Sequence, residues 1–202
     1  MNPYERYLLP WIIEHTCGVG AIQKKRSNLV PRAQGRVLEV GIGTGHNLPF
    51  YDRDRVTEVI ALDPAEQMHG RARKRADEAG MSVRVLGLPA ETIPLEDAEV
   101  DTIVMTFTLC TIPDPTTALA EMRRVLKPGG ELLFCEHGAA PTQSVRKWQD
   151  RLNPIQNKVG GGCNLNREIP ALVRQEFTIA DLGEGYLPGP KFAGYLYWGT
   201  GT

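Results

Sequence analysis

The chain has 202 residues, of which 42% are hydrophobic and 23% are charged. A chain of this length forms one domain with a sizeable core, and the composition is ordinary for a soluble globular protein. The net charge of −1 gives no global attraction to nucleic acid or to an anionic membrane surface. The four cysteines, Cys17, Cys110, Cys135 and Cys163, show no CxxC spacing. We therefore expect no metal site and no disulfide framework, and a reducing cytoplasm is the expected location.

The first 30 residues predict short helices rather than a targeting segment. Pro10 is expected to restart the helix, since proline fits the first turn of a helix but not its interior. The apolar stretch around it is interrupted by charges and is too short for a signal peptide or a membrane-spanning helix, which needs roughly 20 apolar residues. The run Lys24-Lys25-Arg26 predicts a solvated helix face.

Strands and helices then alternate along the chain. Strands are predicted over residues 36–40, 56–62, 82–86, 100–106 and 131–136, and helices over 65–79 and 115–126. Such alternation gives a parallel sheet covered by helices on both faces. Two later strands are predicted over 177–182 and 192–198, joined by a loop rich in glycine and proline, so the second can run antiparallel. Residues 141–176 predict a helical insertion that contains Gly160-Gly161-Gly162.

Residues 37–47, VLEVGIGTGHN, place three glycines directly after the first predicted strand. The carboxyl ends of strands in such a sheet are where ligands bind, and glycine lets the backbone approach a ligand closely. The dinucleotide fingerprint G-x-G-x-x-G does not match, because Gly45 arrives one residue early and His46 takes the expected place. No G-x-x-x-x-G-K-[ST] motif is present. The loop therefore favours a ligand with a ribose but no phosphate.

Asp63 ends the second predicted strand, 18 residues beyond Gly45. A carboxylate there can accept both ribose hydroxyls, as in dinucleotide sites. The structural alternative for Asp63 is a cap of the helix that follows. Met68, one helical turn later, could lie against an adenine ring, although core packing is the preferred explanation for this methionine taken alone.

Three features, E-x-G-x-G-x-G at 39–45, the Asp63 strand end and the RVLKPGG turn at 124–130, resemble the class I S-adenosylmethionine-dependent methyltransferases. The resemblance implies an α/β, Rossmann-like methyltransferase sheet of seven strands, the last antiparallel, with helices on both faces. It implies S-adenosyl-L-methionine as cofactor, with Asp63 holding the ribose. Many relatives read Gly-Asp-Ala-Glu where this chain reads Gly87-Leu88-Pro89-Ala90-Glu91, so the adenine contact falls to Glu91 or to backbone. The implied cofactor contacts are Glu39, Gly41, Gly43, Gly45, Asn47, Asp63, Met68, Ala90, Glu91, Thr106 and Thr108.

A narrower resemblance comes from GTGHNLPFY, LCTIPDP, FCEH and RLNP followed by GGGCNLNRE. These segments are similar to the methyltransferase-like thiol S-methyltransferases. Over the core, the chain also resembles the ubiquinone/menaquinone C-methyltransferases and the phospholipid N-methyltransferases. A small-molecule acceptor, preferably a thiol, is therefore expected, with a quinone-like ring or a phospholipid head group as the alternative.

His137, after the fifth strand, is the candidate base or orienting group, because histidine titrates in the useful range. A histidine that merely holds a loop explains the same position. The candidate walls of the substrate pocket are Phe50, Cys110, Trp148 and Arg167. Residues 1–30, as a helical lid, and 141–176 are the expected specificity elements, because both lie outside the core fold.

Other functions fit the sequence less well. Arsenic methyltransferases use cysteines near this cleft, but the spacing of Cys110, Cys135 and Cys163 does not match theirs. The basic run 71–75 is followed by acidic residues, which favours a solvated helix face over RNA binding. An NAD-binding module is disfavoured by the early Gly45. A non-catalytic fold that binds the cofactor stays open, because methyl transfer requires so few residues.

Overall fold

The computed structural model describes residues 3–202, and the side chain of Glu5 is not among the described parts. A π-helical turn, Tyr4–Leu8, leads into α1 (Leu9–Cys17), with Pro10 in its first turn as predicted, and α2 (Gly20–Leu29) follows. Residues 1 and 2 of the expected lid lie outside the described part. Among the described helices, none combines the length and the apolar character that crossing a bilayer requires.

Seven strands form one sheet in the order β3-β2-β1-β4-β5-β7-β6. The strands are β1 (Gly35–Val40), β2 (Val56–Leu62), β3 (Val83–Leu86), β4 (Val100–Thr106), β5 (Leu126–His137), β6 (Ile179–Tyr186) and β7 (Tyr195–Gly201). The first five run parallel, whereas β7 pairs antiparallel with both β5 and β6. This confirms the expected seven-stranded sheet with an antiparallel last strand. Successive strands are added on one side of β1 up to β3 and on its other side from β4 onwards. The boundary between β1 and β4 is therefore the topological switch point, where such sheets bind ligands.

Four further helices accompany the sheet: α3 (Glu66–Ala79), α4 (Pro115–Val125), α5 (Gln143–Val159) and α6 (Ile169–Val173). Two buried apolar clusters, one on each face, hold the layers together. Their residues alternate along the strands: Leu132 and Phe134 of β5 belong to one cluster, and Leu133 and Cys135 to the other. Alternation of this kind follows from the two-residue period of a strand.

Several predicted strand boundaries are wrong: β6 begins at Ile179 rather than at residue 177, and β7 spans Tyr195–Gly201 rather than 192–198. Two further differences have a clear cause. Strand β5 begins at Leu126 rather than at residue 131, because Lys127-Pro128-Gly129-Gly130 forms a bulge: Val100 pairs with Leu126, and the next pair is Thr102 with Glu131. Strand β6 continues to Tyr186, so half of the expected glycine- and proline-rich loop is paired with β7. In both places, pairing with a neighbouring strand overrides residues that locally favour a turn.

Candidate functional site

A cavity of about 770 Å³ opens at the carboxyl ends of β1, β2 and β4. The glycine loop after β1 and the residues that end β2 and β4 form its floor. The N-terminal helices and the loop after α5 border it as well. Its lining includes, of the predicted cofactor residues, Glu39, Gly41, Gly43, Asp63, Met68, Ala90, Glu91, Thr106 and Thr108. The structure thus brings together nine side chains or backbone positions that were chosen from separate stretches of sequence.

The glycine loop leaves no room for a side chain at Gly41 or at Gly45. Gly41 has φ +74°, and a Cβ there would meet the Thr108 hydroxyl at 2.1 Å. Gly43 also has a positive φ and lines the cavity. Gly45 plays a different part, since it faces Leu48 and the backbone of Ala72 in α3 rather than the cavity. Its contact with the cofactor stays a prediction, whereas its packing role is visible.

Asp63 lies at the end of β2 with its carboxylate beside the glycine loop. Oδ2 accepts a hydrogen bond from the Gly43 N–H at 2.7 Å, and Oδ1 accepts one from the Ala65 N–H at 2.8 Å. Burial raises the pKa of Asp63, and these two backbone hydrogen bonds oppose the rise. Each oxygen has a second lone pair, so the carboxylate can still accept hydroxyl groups from a ligand. Met68 is buried nearby and also lines the cavity.

A buried polar network stands at the other end of the cavity. Glu39 accepts hydrogen bonds from Asn47 Nδ2 at 3.0 Å and from the Tyr51 hydroxyl at 2.8 Å. Arg26, from α2, donates through Nη1 to Asn47 Oδ1 at 2.7 Å and to Thr106 Oγ1 at 2.5 Å. Asn47 itself lies behind the cavity wall and connects Glu39 to Arg26, so its predicted cofactor contact stays a prediction.

Arg26 is the residue that sequence reasoning missed. The expectation of a solvated face is wrong for it: its exposed fraction is only 3%, and its guanidinium lies over the Phe107 ring at 5.2 Å. It lines the cavity, and its Nε has no hydrogen-bond partner among the described residues. The sequence Lys24-Lys25-Arg26 does not indicate which of the three basic side chains is buried. That depends on which face of α2 packs against the domain.

The N-terminal helices are fastened to the glycine loop by charged side chains. Arg75 of α3 bonds to the Glu14 carboxylate and donates to the Thr44 carbonyl at 2.6 Å. His46 lies between them, 3.2 Å from Gln23 Nε2 and 3.8 Å from Glu14. Burial lowers the pKa of His46 to about 4, with Arg75 acting in the same direction. A neutral His46 therefore packs under α1, which supports the proposal that residues 3–30 act as a lid.

Two of the four predicted pocket walls lie elsewhere. Phe50 borders a smaller neighbouring pocket with Glu14 and His15. Trp148 is 55% exposed in a shallow surface depression of α5. Neither is part of the cavity lining, and nothing in α5 turns Trp148 inwards, because that helix presents its buried Gln149 to the protein instead.

The other two predicted walls, Cys110 and Arg167, are also absent from the cavity lining, but both belong to or contact the loop after β4. Cys110 is buried in the loop after β4. The Arg167 guanidinium donates to the Leu109 carbonyl and so fastens the insertion to that loop. These placements make both residues supports of the cavity wall, and a direct substrate contact for either stays a prediction.

His137 ends β5 and is buried. Its Nδ1 lies 3.8 Å from the Cys163 Sγ, and its Nε2 has no hydrogen-bond partner within residues 3–202. The neighbouring Glu136 accepts hydrogen bonds from the Thr108 and Cys110 N–H groups at 2.8 and 3.3 Å, and burial raises its pKa to about 7. Glu136 therefore shapes the loop that carries Thr108, while His137 holds an unsatisfied polar atom close to that loop.

The ionisation of Glu39 can be tested through stability. Burial raises its pKa to about 7 from 4.5, so the folded protein holds this proton more tightly than the unfolded chain. The contribution to stability is present below pH 4.5 and is lost as the pH rises to about 7, at most about 3 kcal/mol. We expect Glu39→Gln, without ligand, to gain in melting temperature relative to the wild type between pH 5 and 8. If the melting temperatures of Glu39→Gln and the wild type change with pH in the same way, the assignment is wrong.

S-adenosylmethionine fits these residues. The glycine loop is a backbone cradle that side chains would fill, and Asp63 offers carboxylate oxygens for a ribose. Glu39 can accept from a cationic group, and the unpaired Arg26 Nε can donate to a carboxylate. None of these residues belongs to a G-x-x-x-x-G-K-[ST] loop of the kind that binds nucleoside triphosphates. Within the described residues, no cluster of three or more histidine, cysteine or acidic side chains is placed to hold a metal ion.

Comparison with known proteins agrees with this geometry. Residues 38–134 match the family described as methyltransferase domain. The thiol S-methyltransferase TMT1B of Homo sapiens is 38% identical over 142 residues, which are 67% of this chain and 57% of that protein. The demethylmenaquinone methyltransferase of Thermus thermophilus is 34% identical over 148 residues, 70% of this chain and 67% of that protein. The chain thus spans little more than half the length of the human relative.

The fold also matches a solved structure. The SAM-dependent methyltransferase of Thermotoga maritima, described as a possible histamine N-methyltransferase, superposes with a TM-score of 0.67 at 23% identity, covering 98% of this chain and 97% of that one. At 23% identity this match shows that the two proteins share a fold and nothing more. Together with the cavity at the β1/β4 switch point and the matched domain, it leads to one conclusion: the chain belongs to the S-adenosylmethionine-dependent methyltransferases.

Proposed function

We propose that the protein transfers the methyl group of S-adenosylmethionine to a small-molecule thiol. The observation that carries this proposal is the cavity in which the glycine loop, Asp63 and the Glu39–Arg26 network converge. When bound, the cofactor supplies the methyl group and its own leaving group, so the protein has to supply position rather than elaborate chemistry. Correct orientation alone contributes roughly 7–11 kcal/mol in favourable cases.

The acceptor side of the cavity is mainly apolar. Leu9, Ile13 and Cys17 of α1 face it from the lid, and Ile112 borders it from the loop before α4. A small apolar thiol suits such walls. A thiol also needs little help from a base, because its pKa of about 8.5 leaves a reactive thiolate fraction near neutral pH. The human relative is named a thiol S-methyltransferase, which supports a thiol as the acceptor.

His137 is proposed to assist the acceptor. Its imidazole lies behind the cavity wall beside Cys163, so a role as base requires the segment that carries Cys163 to give the acceptor access to it. In that case we expect His137→Ala to lower kcat by about 10²-fold. The affinity for S-adenosylhomocysteine should stay unchanged, since His137 is not part of the cavity lining. Turnover with the acceptor and calorimetry with S-adenosylhomocysteine separate the two effects, and a melting curve controls for folding. Unaltered turnover would leave His137 with a purely structural role.

The first experiment is calorimetric titration with S-adenosylmethionine and S-adenosylhomocysteine, with NAD as control. We expect micromolar binding of the two sulfur ligands and none of NAD. A panel of thiols, quinols, amines and phospholipid head groups then identifies the acceptor through release of S-adenosylhomocysteine. Binding without turnover on the whole panel would favour a non-catalytic cofactor-binding role. Absence of binding would refute the enzymatic proposal.

A quinone-like ring is the second candidate acceptor, because the Thermus relative is a demethylmenaquinone methyltransferase. A flat ring needs an entrance between the lid and the loop after α5, and both border the cavity. Turnover of quinols in preference to thiols would move the proposal to carbon methylation. We also propose a cytoplasmic location, supported by four cysteines that are all free, and a function without a nucleic-acid partner.

A further inference from the structure

Two free cysteines meet beside the cofactor cavity. The Sγ atoms of Cys110 and Cys163 lie 3.7 Å apart, although 53 residues separate them along the chain. Cys110 belongs to the loop after β4, and Cys163 follows the Gly160-Gly161-Gly162 segment after α5. Cys135 does not join them, since it is buried within β5 in the apolar cluster that also contains Leu133. Cys17 of α1 lies near enough to interact electrostatically with both thiols, but the sulfur–sulfur contact joins Cys110 and Cys163.

The backbone around the pair is already held in place for a covalent link. The N–H of Asn164 donates to the Cys110 carbonyl at 2.9 Å, and the Asn164 side-chain amide donates to the same oxygen at 3.0 Å. Cys163 directly precedes Asn164, so the two segments run against each other at this point. The two sulfur atoms are 3.7 Å apart, and rotation of the side chains has to bring them to the S–S bond length of about 2.05 Å.

The two thiols differ in reactivity. The hydrogen bond with Cys110 lowers the pKa of Cys163 to about 5, and the His137 imidazole acts in the same direction while burial opposes it. The same hydrogen bond raises the pKa of Cys110 well above its ordinary value, with burial and Glu136 adding to the rise. Cys163 is half-buried, two residues after the exposed Gly161, whereas Cys110 is buried. The pair thus consists of an accessible nucleophile and a protonated partner behind it.

We propose that Cys110 and Cys163 form a reversible redox site that reacts with low-molecular-weight disulfides. The Cys163 thiolate attacks one sulfur of the disulfide, which gives a mixed disulfide and releases one thiolate. The Cys110 sulfur then attacks the Cys163 sulfur, its proton passes to the second leaving group, and an intramolecular disulfide forms. The small disulfide is reduced to two thiols, and the two cysteines are oxidised.

The bridge would act on the cavity because both segments line it. Thr108 and Thr111 border the cavity on the Cys110 side, and residues 160–162 border it on the Cys163 side. In the reduced protein the glycine segment can separate from the loop after β4 at the cost of hydrogen bonds. A covalent link removes that freedom. We therefore expect the oxidised protein to exchange its cofactor severalfold more slowly than the reduced protein, whatever the acceptor is.

Intact-mass analysis after alkylation tests the chemistry. Full-length protein is incubated with oxidised glutathione, and its remaining thiols are alkylated with and without prior dithiothreitol. We expect two of the four thiols to be protected, reversibly, and peptide mapping to link Cys110 to Cys163. Cys110→Ser should stop at a stable glutathione adduct on Cys163. The matched control Cys135→Ala should still form the link.

Stopped-flow measurement of S-adenosylhomocysteine release tests the consequence. The oxidised wild type should release the ligand severalfold more slowly, dithiothreitol should restore the rate, and Cys163→Ser should not respond to the oxidant. Four alkylatable thiols after oxidation, or a link between other cysteines, would overturn the redox site. An unchanged release rate in protein shown to contain the disulfide would overturn its effect on the cavity.

Discussion

Replacement of Asp63 by alanine should abolish cofactor binding in the calorimetric range, a loss of at least about 100-fold in affinity. The Asp63 carboxylate lines the cavity at the end of β2 and is the acceptor proposed for both ribose hydroxyls. Hydrogen bonds to a charged group contribute roughly 1.5–3 kcal/mol each, so the loss of two accounts for the expected change. The Gly43 and Ala65 N–H groups would lose their acceptor as well, which loosens the glycine loop.

The variant Asp63→Asn separates these two contributions. It keeps one side-chain oxygen for a backbone N–H but loses the charge, so we expect a smaller loss of affinity than with alanine. Asp97→Ala is the matched control, because Asp97 is exposed and its ion pair with Arg124 lies outside the cavity. Wild-type affinity in Asp63→Ala, measured with S-adenosylhomocysteine, would refute the ribose assignment.

Replacement of Arg26 by alanine should have the second-largest effect. The change removes the hydrogen bonds to Asn47 and Thr106, and it removes the only arginine that lines the cavity within the described part of the chain. We expect affinity for S-adenosylhomocysteine to fall about 10-fold or more, and the free energy of unfolding to fall by about 2–4 kcal/mol. Calorimetry and urea denaturation measure the two effects.

Lys24→Ala supplies the control for Arg26, since Lys24 lies on the exposed side of the same helix. Its affinity and stability should match those of the wild type. Arg26→Lys keeps the charge but loses the forked guanidinium, so it should recover only part of the affinity. Equal behaviour of the Arg26 and Lys24 alanine variants would show that α2 is merely a cover over the cavity.

Local patterns in the sequence were enough to predict the central strands of the sheet. Strands β2 and β4 begin and end where the apolar runs and flanking polar residues predict, and α3 stops at Gly80, which takes the left-handed conformation with φ +62°. The boundaries of β5 and β6 were wrong because partner strands, distant in sequence, extend the pairing. The resemblance to a family implied seven strands with the last antiparallel and periodicity gave their alternation with helices, whereas the order β3-β2-β1-β4-β5-β7-β6 comes from the structure.

The residues of the candidate site also fall into those that the sequence predicted and those that only the packing of the elements decided. The glycine loop and Asp63 were readable because each stands at the end of a strand, where a parallel sheet gathers its ligand-binding residues, whereas the segment around Ala90 was implied by the family resemblance. Trp148 and Phe50 were chosen for residue type, and type alone does not tell which way a helix or turn faces. Arg26 was missed for the same reason, because its burial depends on how α2 packs over Phe107 and Thr106.

By itself the sequence determined the alternating strands and helices, the backbone cradle at Gly41 and Gly43, and the carboxylate at Asp63, since these depend on short-range spacing. Only the tertiary structure decided which charged residue of KKR enters the cavity and that Cys110 meets Cys163 across 53 residues. The physical reason is that burial and long-range contacts come from packing of whole elements, and a helix rotated by one residue about its axis, roughly 100°, would present a different side chain to the cavity.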